Sequence, residues 1–479
     1  MQTECGVAGP GGFLIRVGGM ARLTFRSAVR SRLVLTLALV LLAVVAGLPA
    51  TLKGDGTPAG GARVILHYTL GLAALVLGVV TLWTACGAIA EEVERKHIQL
   101  LVSKPVRPAE IWLGKWLGIL CMDALFLGAA GLAVYAQAAR YAAALPPAAR
   151  QGLRQEVLAA RRAWRPAADP VEETVDAAYR SLAARRALPP NVPARETRAE
   201  LRKQALARFT VVPPGTARVW DLPASRRVRV PAAGTPLTLR YRLVSTGPGR
   251  FAAAGVWRIG TAENPALAEE AARIMRAGTH DLTFPAGALA RAAGEGRALR
   301  IEFRNGDAET SAAVVFDPEE PVRILAPGGS FGGNCARTVL VLLCVMALVA
   351  AVGLAASSAL SFPVATFAAA AAIAAALMIR YFAAAAAEPE AGHVHRHGHA
   401  QATDGQSAWL RAGERVIPAL DVLVAPATRF APLGRFADGV LVSWGFLGGA
   451  AGVLGVGYPA LLALLSIGVL RRREVALPA

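Results

Sequence analysis

Glu91-Glu92-Val93-Glu94-Arg95-Lys96-His97-Ile98-Gln99-Leu100-Leu101-Val102-Ser103-Lys104-Pro105-Val106-Arg107-Pro108-Ala109-Glu110-Ile111-Trp112-Leu113-Gly114-Lys115 lies between two long apolar runs. A chain that crosses a bilayer must leave it between spans, and a bare hairpin needs only a few polar residues. This connection is far longer. It interleaves acidic, basic and apolar residues, and Pro105-Val106-Arg107-Pro108 breaks it in the middle. Such a composition suits short amphipathic helices lying against another protein at the membrane surface. Glu91, Glu92, Glu94, Arg95 and Lys104 are its candidate charged contacts, and Ile98, Leu100 and Leu101 its apolar knobs.

The runs on either side belong to a wider pattern. The chain is 54% hydrophobic, above the roughly 45–50% of soluble domains, and the excess falls in blocks. Six spans of about 20 residues are read near 33–52, 65–89, 115–137, 338–360, 363–386 and 440–470. The last has room for a tilted helix, or for a shorter helix after a re-entrant piece. Basic residues in the short flanks orient them. Arg16, Arg22, Arg26, Arg30 and Arg32 precede the first span; Arg95, Lys96, Lys104, Arg107 and Lys115 lie between the second and third; Arg471, Arg472 and Arg473 follow the last. With six spans all three clusters share one side, the cytoplasm. The five arginines of the 387–439 loop fall on the other side, diluted by its length. Residues 13–30 read as an amphipathic helix that can lie in the interface before the first span, or as an ordinary basic flank.

Residues 138–336 form a block large enough for its own core. To about 207 it is Arg/Ala/Glu-rich with helical periodicity and prolines at its turns. From 208 to 327 it turns to alternating runs, at Ala217–Trp220, Pro236–Val244, Gly255–Ile259, His280–Phe284, Leu299–Phe303 and Ala312–Phe316. Six short runs between Gly/Pro turns suggest a β-sandwich. The expected fold is a mainly α-helical polytopic membrane protein of about six transmembrane helices. A large extracytoplasmic α+β insert separates helices three and four. Its parts are 1–137 with a cytoplasmic segment at 90–114, then 138–336, then 337–479.

The net charge of +18 is spread over the N-terminus, loops and central block, without a nucleic-acid motif. Nucleic acid is therefore not the expected partner, whereas membrane lipid is. Cys5, Cys86, Cys121, Cys335 and Cys344 give no disulfide framework and no Cys-x-x-Cys pair. No cleavable signal peptide is evident, and Met20 is an alternative start to Met1. Gly114-Lys115 is the nearest approach to a phosphate-binding loop, but Ala109 and Trp116 occupy positions that need Gly and Ser/Thr. No catalytic constellation stands out, so the chain reads as non-catalytic, without a cofactor of its own. His393, His395, His397 and His399 alternate in a polar stretch and suit an adventitious metal binder better than a built site. Asp123 lies roughly 12 Å inside the third span at 1.5 Å per residue. A charge there is either a pathway residue or a polar group turned into the bundle. Gly445-x-x-x-Gly449 and Gly448-x-x-x-Gly452 in the last span suit close helix approach, within the chain or between copies.

The 91–115 segment is similar to the cytoplasmic segment after the second span of ABC-2 type transporter permeases. There an acidic start, a Leu-Leu-x-Ser-(Lys or Arg)-Pro-Val core and an acidic-Ile-x-Leu-Gly-Lys close occur together, as Glu91–Glu94, Leu100–Val106 and Glu110–Lys115 do here. Phe25-Arg26-x-Ala28-Val29-Arg30-x-Arg32, the turn Ser357–Ala365 and the tail Leu470–Glu474 resemble the same family. The resemblance implies the membrane subunit of a bacterial inner-membrane exporter, paired with itself or a homologue. It also implies a separate ATPase subunit that binds ATP and contacts Glu91, Glu92, Glu94, Arg95, Ile98, Leu100, Leu101 and Lys104. The insert departs from simpler members and leaves the substrate open. The rival reading is a membrane-anchored binding or sensory protein whose ectodomain recognises a glycan or protein.

Overall fold

The structure, a computed structural model, describes residues 10–32, 34, 36, 40, 41, 43, 45, 47, 56–94, 107–188, 192–222, 237–244, 253–274, 277–284, 298–306, 312–318, 320–387, 422 and 424–472. They fall into two compact units. One is helical and takes the chain up to Ala160 and from Gly329 onward; the other is Arg161–Gly328.

In the helical unit α1 is Pro10–Arg30. α2 (Pro58–Val64) runs through a π-helical turn at Ile65–Thr69 into α3 (Leu70–Glu94). α4 spans Pro108–Ala144 and α5 Pro147–Glu156. The chain returns to this unit as α8 (Phe331–Ala359), α9 (Phe362–Ala387), α10 (Leu433–Ala437), α11 (Trp444–Ala450), a second π-helical stretch (Ala451–Gly457) and α12 (Tyr458–Arg472). α8 is central and packs on α3, α4, α9 and α12. Among the described residues, five stretches are long and apolar enough to cross a membrane: Pro58–Ala90, Pro108–Ala144, Phe331–Ala359, Phe362–Ile379 and Trp444–Arg472. The span read at 33–52 lies largely outside the described residues.

Local chemistry sets the ends of these helices. Pro108 opens α4 with a φ already suited to a first turn. The Glu110 carboxylate accepts the Arg107 backbone N–H at 3.0 Å, satisfying one of the donors a helix start leaves open. α4 runs past 137, where the span was read to stop, because its apolar pattern continues to Ala144. There the Arg150 guanidinium donates to the carbonyls of Ala142, Ala143 and Leu145 and closes the helix. α8 starts at Ser330, whose hydroxyl accepts the Gly333 N–H at 3.2 Å. The Asn334 side chain donates to Val440 O at 3.0 Å and accepts from Val442 N at 2.8 Å, tying the start of α8 to the chain before α11.

Among the described residues, the second unit comprises β1 (Ala160–Trp164, beginning at the unit boundary), α6 (Val171–Ala184), α7 (Ala194–Thr210) and nine further strands. They are β2 (Val211–Val212), β3 (Ala217–Leu222), β4 (Leu237–Leu243), β5 (Ala253–Thr261), β6 (Ala268–Ile274), β7 (Gly278–Phe284), β8 (Leu299–Asn305), β9 (Val314–Val315) and β10 (Val322–Gly329). Sheets ordered β1-β10-β4-β7 and β3-β8-β5-β6 face each other across one core, with β2 and β9 as a small third pair. Alternation does the sorting: Leu299, Ile301, Phe303 and Asn305 of β8 point inward while Arg300, Glu302 and Arg304 do not. Trp220, Trp257 and Phe303 from one sheet meet Leu239, Tyr241 and Ile324 from the other, with Tyr241 and Trp257 rings 4.8 Å apart.

The stretch 138–207, read as helical, contains β1. Its Ala-Arg-Arg-Ala-Trp sequence favours a helix locally, but pairing with β10 holds it extended. β6 and β10 were likewise not among the six runs. Within 387–439, read as a loop, α10 buries Phe436 and Ala437 in the helical core.

Candidate functional site

The candidate site is the junction where the connection between α3 and α4 meets α1. Glu91, Glu92 and Glu94 close α3. Arg95, Ile98, Leu100, Leu101 and Lys104 lie outside the described residues. The structure does fix what receives the connection.

Arg16 of α1 reaches Glu110 in the first turn of α4, with Nη2 2.7 Å from Oε1 and Nε 3.1 Å from both carboxylate oxygens. The Glu110 side chain is 1% exposed and that of Arg16 30%. One carboxylate therefore caps α4 and holds α1. A forked guanidinium contact of this kind fixes orientation as well as distance. One turn further on, two glycines remove the bulk between the helices. A Cβ on Gly118 would lie 2.6 Å from Ala21 O and 2.7 Å from Thr24 Cβ, and one on Gly114 would collide with Met20. Val17 and Ala28 complete the buried face of α1, while Leu14, Ile15 and Leu23 stay exposed. α1 is thus packed along the first turns of α4.

Deeper in the unit, Lys115 is 3% exposed and donates from Nζ to Ala88 O at 2.6 Å. Trp116 Nε1 donates to Ala347 O at 2.9 Å. These two bonds fasten the start of α4 to α3 and α8. Asp123 is fully buried. Its Oδ1 lies 2.7 Å from Thr81 Oγ1 of α3, and its Oδ2 has no hydrogen-bond partner. The carboxyl therefore sits among helices of one chain and not on an open face. In the last span, Gly449 lies against Phe430, whereas Cβ positions on Gly448 and Gly452 meet nothing within 4 Å. His393 to His399 lie outside the described residues; among the described ones no His, Cys, Asp and Glu group could hold a metal.

The Arg16–Glu110 pair and the Gly114/Gly118 seat were not read from sequence. Arg16 was one arginine in a basic flank. Gly114 and Gly118 repeat the Gly-x-x-x-Gly spacing of the last span.

Residues 20–159 match the family model described as ABC-2 family transporter protein. The match takes in the second half of α1 from Met20, then α2 to α5 with the α3–α4 connection, so it includes Glu110, Gly114 and Gly118 but begins after Arg16. Over these residues the chain is similar to ABC-2 family transporters, and its described helices include five long and apolar enough to cross a membrane. No curated protein and no solved structure matches the chain.

Proposed function

We propose that this chain is the membrane-spanning subunit of an ABC-2 type exporter in a bacterial inner membrane. A separate subunit hydrolyses ATP and docks on residues 91–113. Two permease copies, or this chain with a homologue, frame the pathway. The carrying observation is that the family match spans the connection, whose far end is seated on α1 by Arg16–Glu110 and Gly114/Gly118. A displacement of the connection by the ATPase would reach α4 and α1 together, and through Lys115 and Trp116 it would reach α3 and α8. Such linkage suits a two-state switch between inward- and outward-open forms. The anchored binding-protein reading is not favoured by the match.

Docking surfaces draw most of their energy from a few desolvated anchors, while exposed charges contribute little each. Leu100→Ala with Leu101→Ala should therefore weaken docking by roughly 2–4 kcal/mol, more than reversal of any one of Glu91, Glu92 or Glu94. Pull-down of the co-expressed ATPase tests this, with circular dichroism as the folding control. Unchanged recruitment in the folded double variant defeats the assignment.

A further inference from the structure

Three half-buried or buried cations of the helical unit each have an acceptor: Arg16 has Glu110, Arg63 of α2 has Glu156 of α5, and Lys115 has Ala88 O. Arg337, in the second turn of α8, has neither a hydrogen bond nor an ion pair among the described residues, and its Nε is buried. A guanidinium in a membrane-crossing helix is costly without a counter-charge, so its surroundings should indicate what supplies one.

Those surroundings are specific. The guanidinium lies 5.4 Å from the centre of the Trp444 ring, and that ring is 70% exposed at the start of the last apolar stretch. Nη2 is 3.6 Å from where a Cβ would sit on Gly329 and 3.8 Å from the same point on Gly333. The group is therefore nested against the first turn of α8, whose N-terminal N–H groups add positive potential. Asn334 holds this turn to Val440 and Val442, so Arg337 and Trp444 are presented by one fixed corner. A cation near the end of an apolar helix under an exposed indole is suited to the headgroup layer, where Trp anchors and anionic phosphate coexist.

We propose that Arg337 and Trp444 form a site for the phosphate group of a membrane lipid headgroup. The guanidinium donates a forked pair of hydrogen bonds to phosphate oxygens, and the indole packs on the glycerol and upper acyl region. The same oxygens exist on free phosphate, but only a lipid also uses the indole. This site is independent of ATPase docking and of the transport reading.

The test uses the full chain in detergent, with phosphatidylglycerol titrated in and retained lipid counted by native mass spectrometry. Inorganic phosphate is the competing probe. Arg337→Gln should reduce retention roughly fivefold, as expected from about 1 kcal/mol per basic residue near an anionic surface. Arg22→Gln, on α1, should leave this site occupied. Trp444→Leu keeps the cation and should also reduce retention, which preserves the test should Arg337→Gln misfold. Millimolar inorganic phosphate should displace little lipid; ready displacement would assign the site to a free anion and overturn the lipid assignment. Equal retention by wild type, Arg337→Gln and Trp444→Leu, all folded by circular dichroism, would overturn the site itself.

Discussion

Thr81 Oγ1 lies 2.8 Å from Leu77 O and 2.7 Å from Asp123 Oδ1, so this one hydroxyl ties α3 to α4 inside the bundle. A carboxamide offers both a donor and an acceptor at the same place. Asp123→Asn should therefore keep the contact, the fold and transport, whereas Asp123→Ala should lower stability by about 1 kcal/mol, the scale of hydrogen bonds between membrane helices. Loss of transport in a folded Asp123→Asn variant, followed by substrate flux in proteoliposomes, would mark a pathway role instead. In the sandwich, Tyr241 is 2% exposed, and burial pushes its phenol up to about 12. An unfolded tyrosine ionises near 10. The unfolded state thus gains by ionising first, and stability present below pH 10 is lost between about 10 and about 12. Tyr241→Phe should flatten that loss, read as thermal midpoint against pH; an unchanged alkaline slope would contradict it. Sequence pointed to Asp123 because a lone acid in an apolar run stands out. It could not point to Thr81 or to the Arg16–Glu110 pair, because partners 42 and 94 residues away are set by packing and not by spacing.

Elements were legible where one face had to be apolar. β8 and β4 could be read from alternation alone, and the long apolar helices from length. β1 and β6 could not. Ala268–Ile274 is Ala-Glu-Glu-Ala-Ala-Arg-Ile, helix-favouring by composition. It is a strand because β5 pairs with it from Ala253↔Ile274 to Ile259↔Ala268 and Arg258 meets Glu269 at 2.8 Å. Tertiary pairing overrides propensity most easily at an edge strand, where only one neighbour must be satisfied. The α1–α4 contact makes a sharper test of element packing. Gly118→Val puts a branched side chain where even a Cβ would meet Ala21 O at 2.6 Å, so the helices must part. A cysteine at Met20 should then react with a maleimide much faster than in the parent, while α4 stays helical because valine is tolerated in a helix. An unchanged labelling rate would mean that α1 is not held by this seat. The same variant should also lose ATPase stimulation under the proposed coupling.

For the molecule as a whole, the sequence separated membrane from non-membrane chain by block hydropathy, and the five described membrane-length helices lie in blocks read that way. Orientation is a different kind of information. It depends on charge outside the helices, and packing within one chain does not reveal it. Lys and Arg cluster before the first span, between the second and third, and after the last. The bias of such residues toward the cytoplasm would put both termini inside and the Arg161–Gly328 sandwich outside, the orientation proposed for this chain. Ala199 on α7 is exposed and gives a reporter in that unit. With the five native cysteines replaced, Ala199→Cys in intact cells should react with a membrane-impermeant maleimide. Ala479→Cys should react only after the cells are opened. Three crossings separate the two reporters in this reading; an even number between them would place both on the same side. Equal reaction from outside would therefore overturn the six-span reading, and with it the cytoplasmic placement of residues 91–113 on which ATPase docking depends.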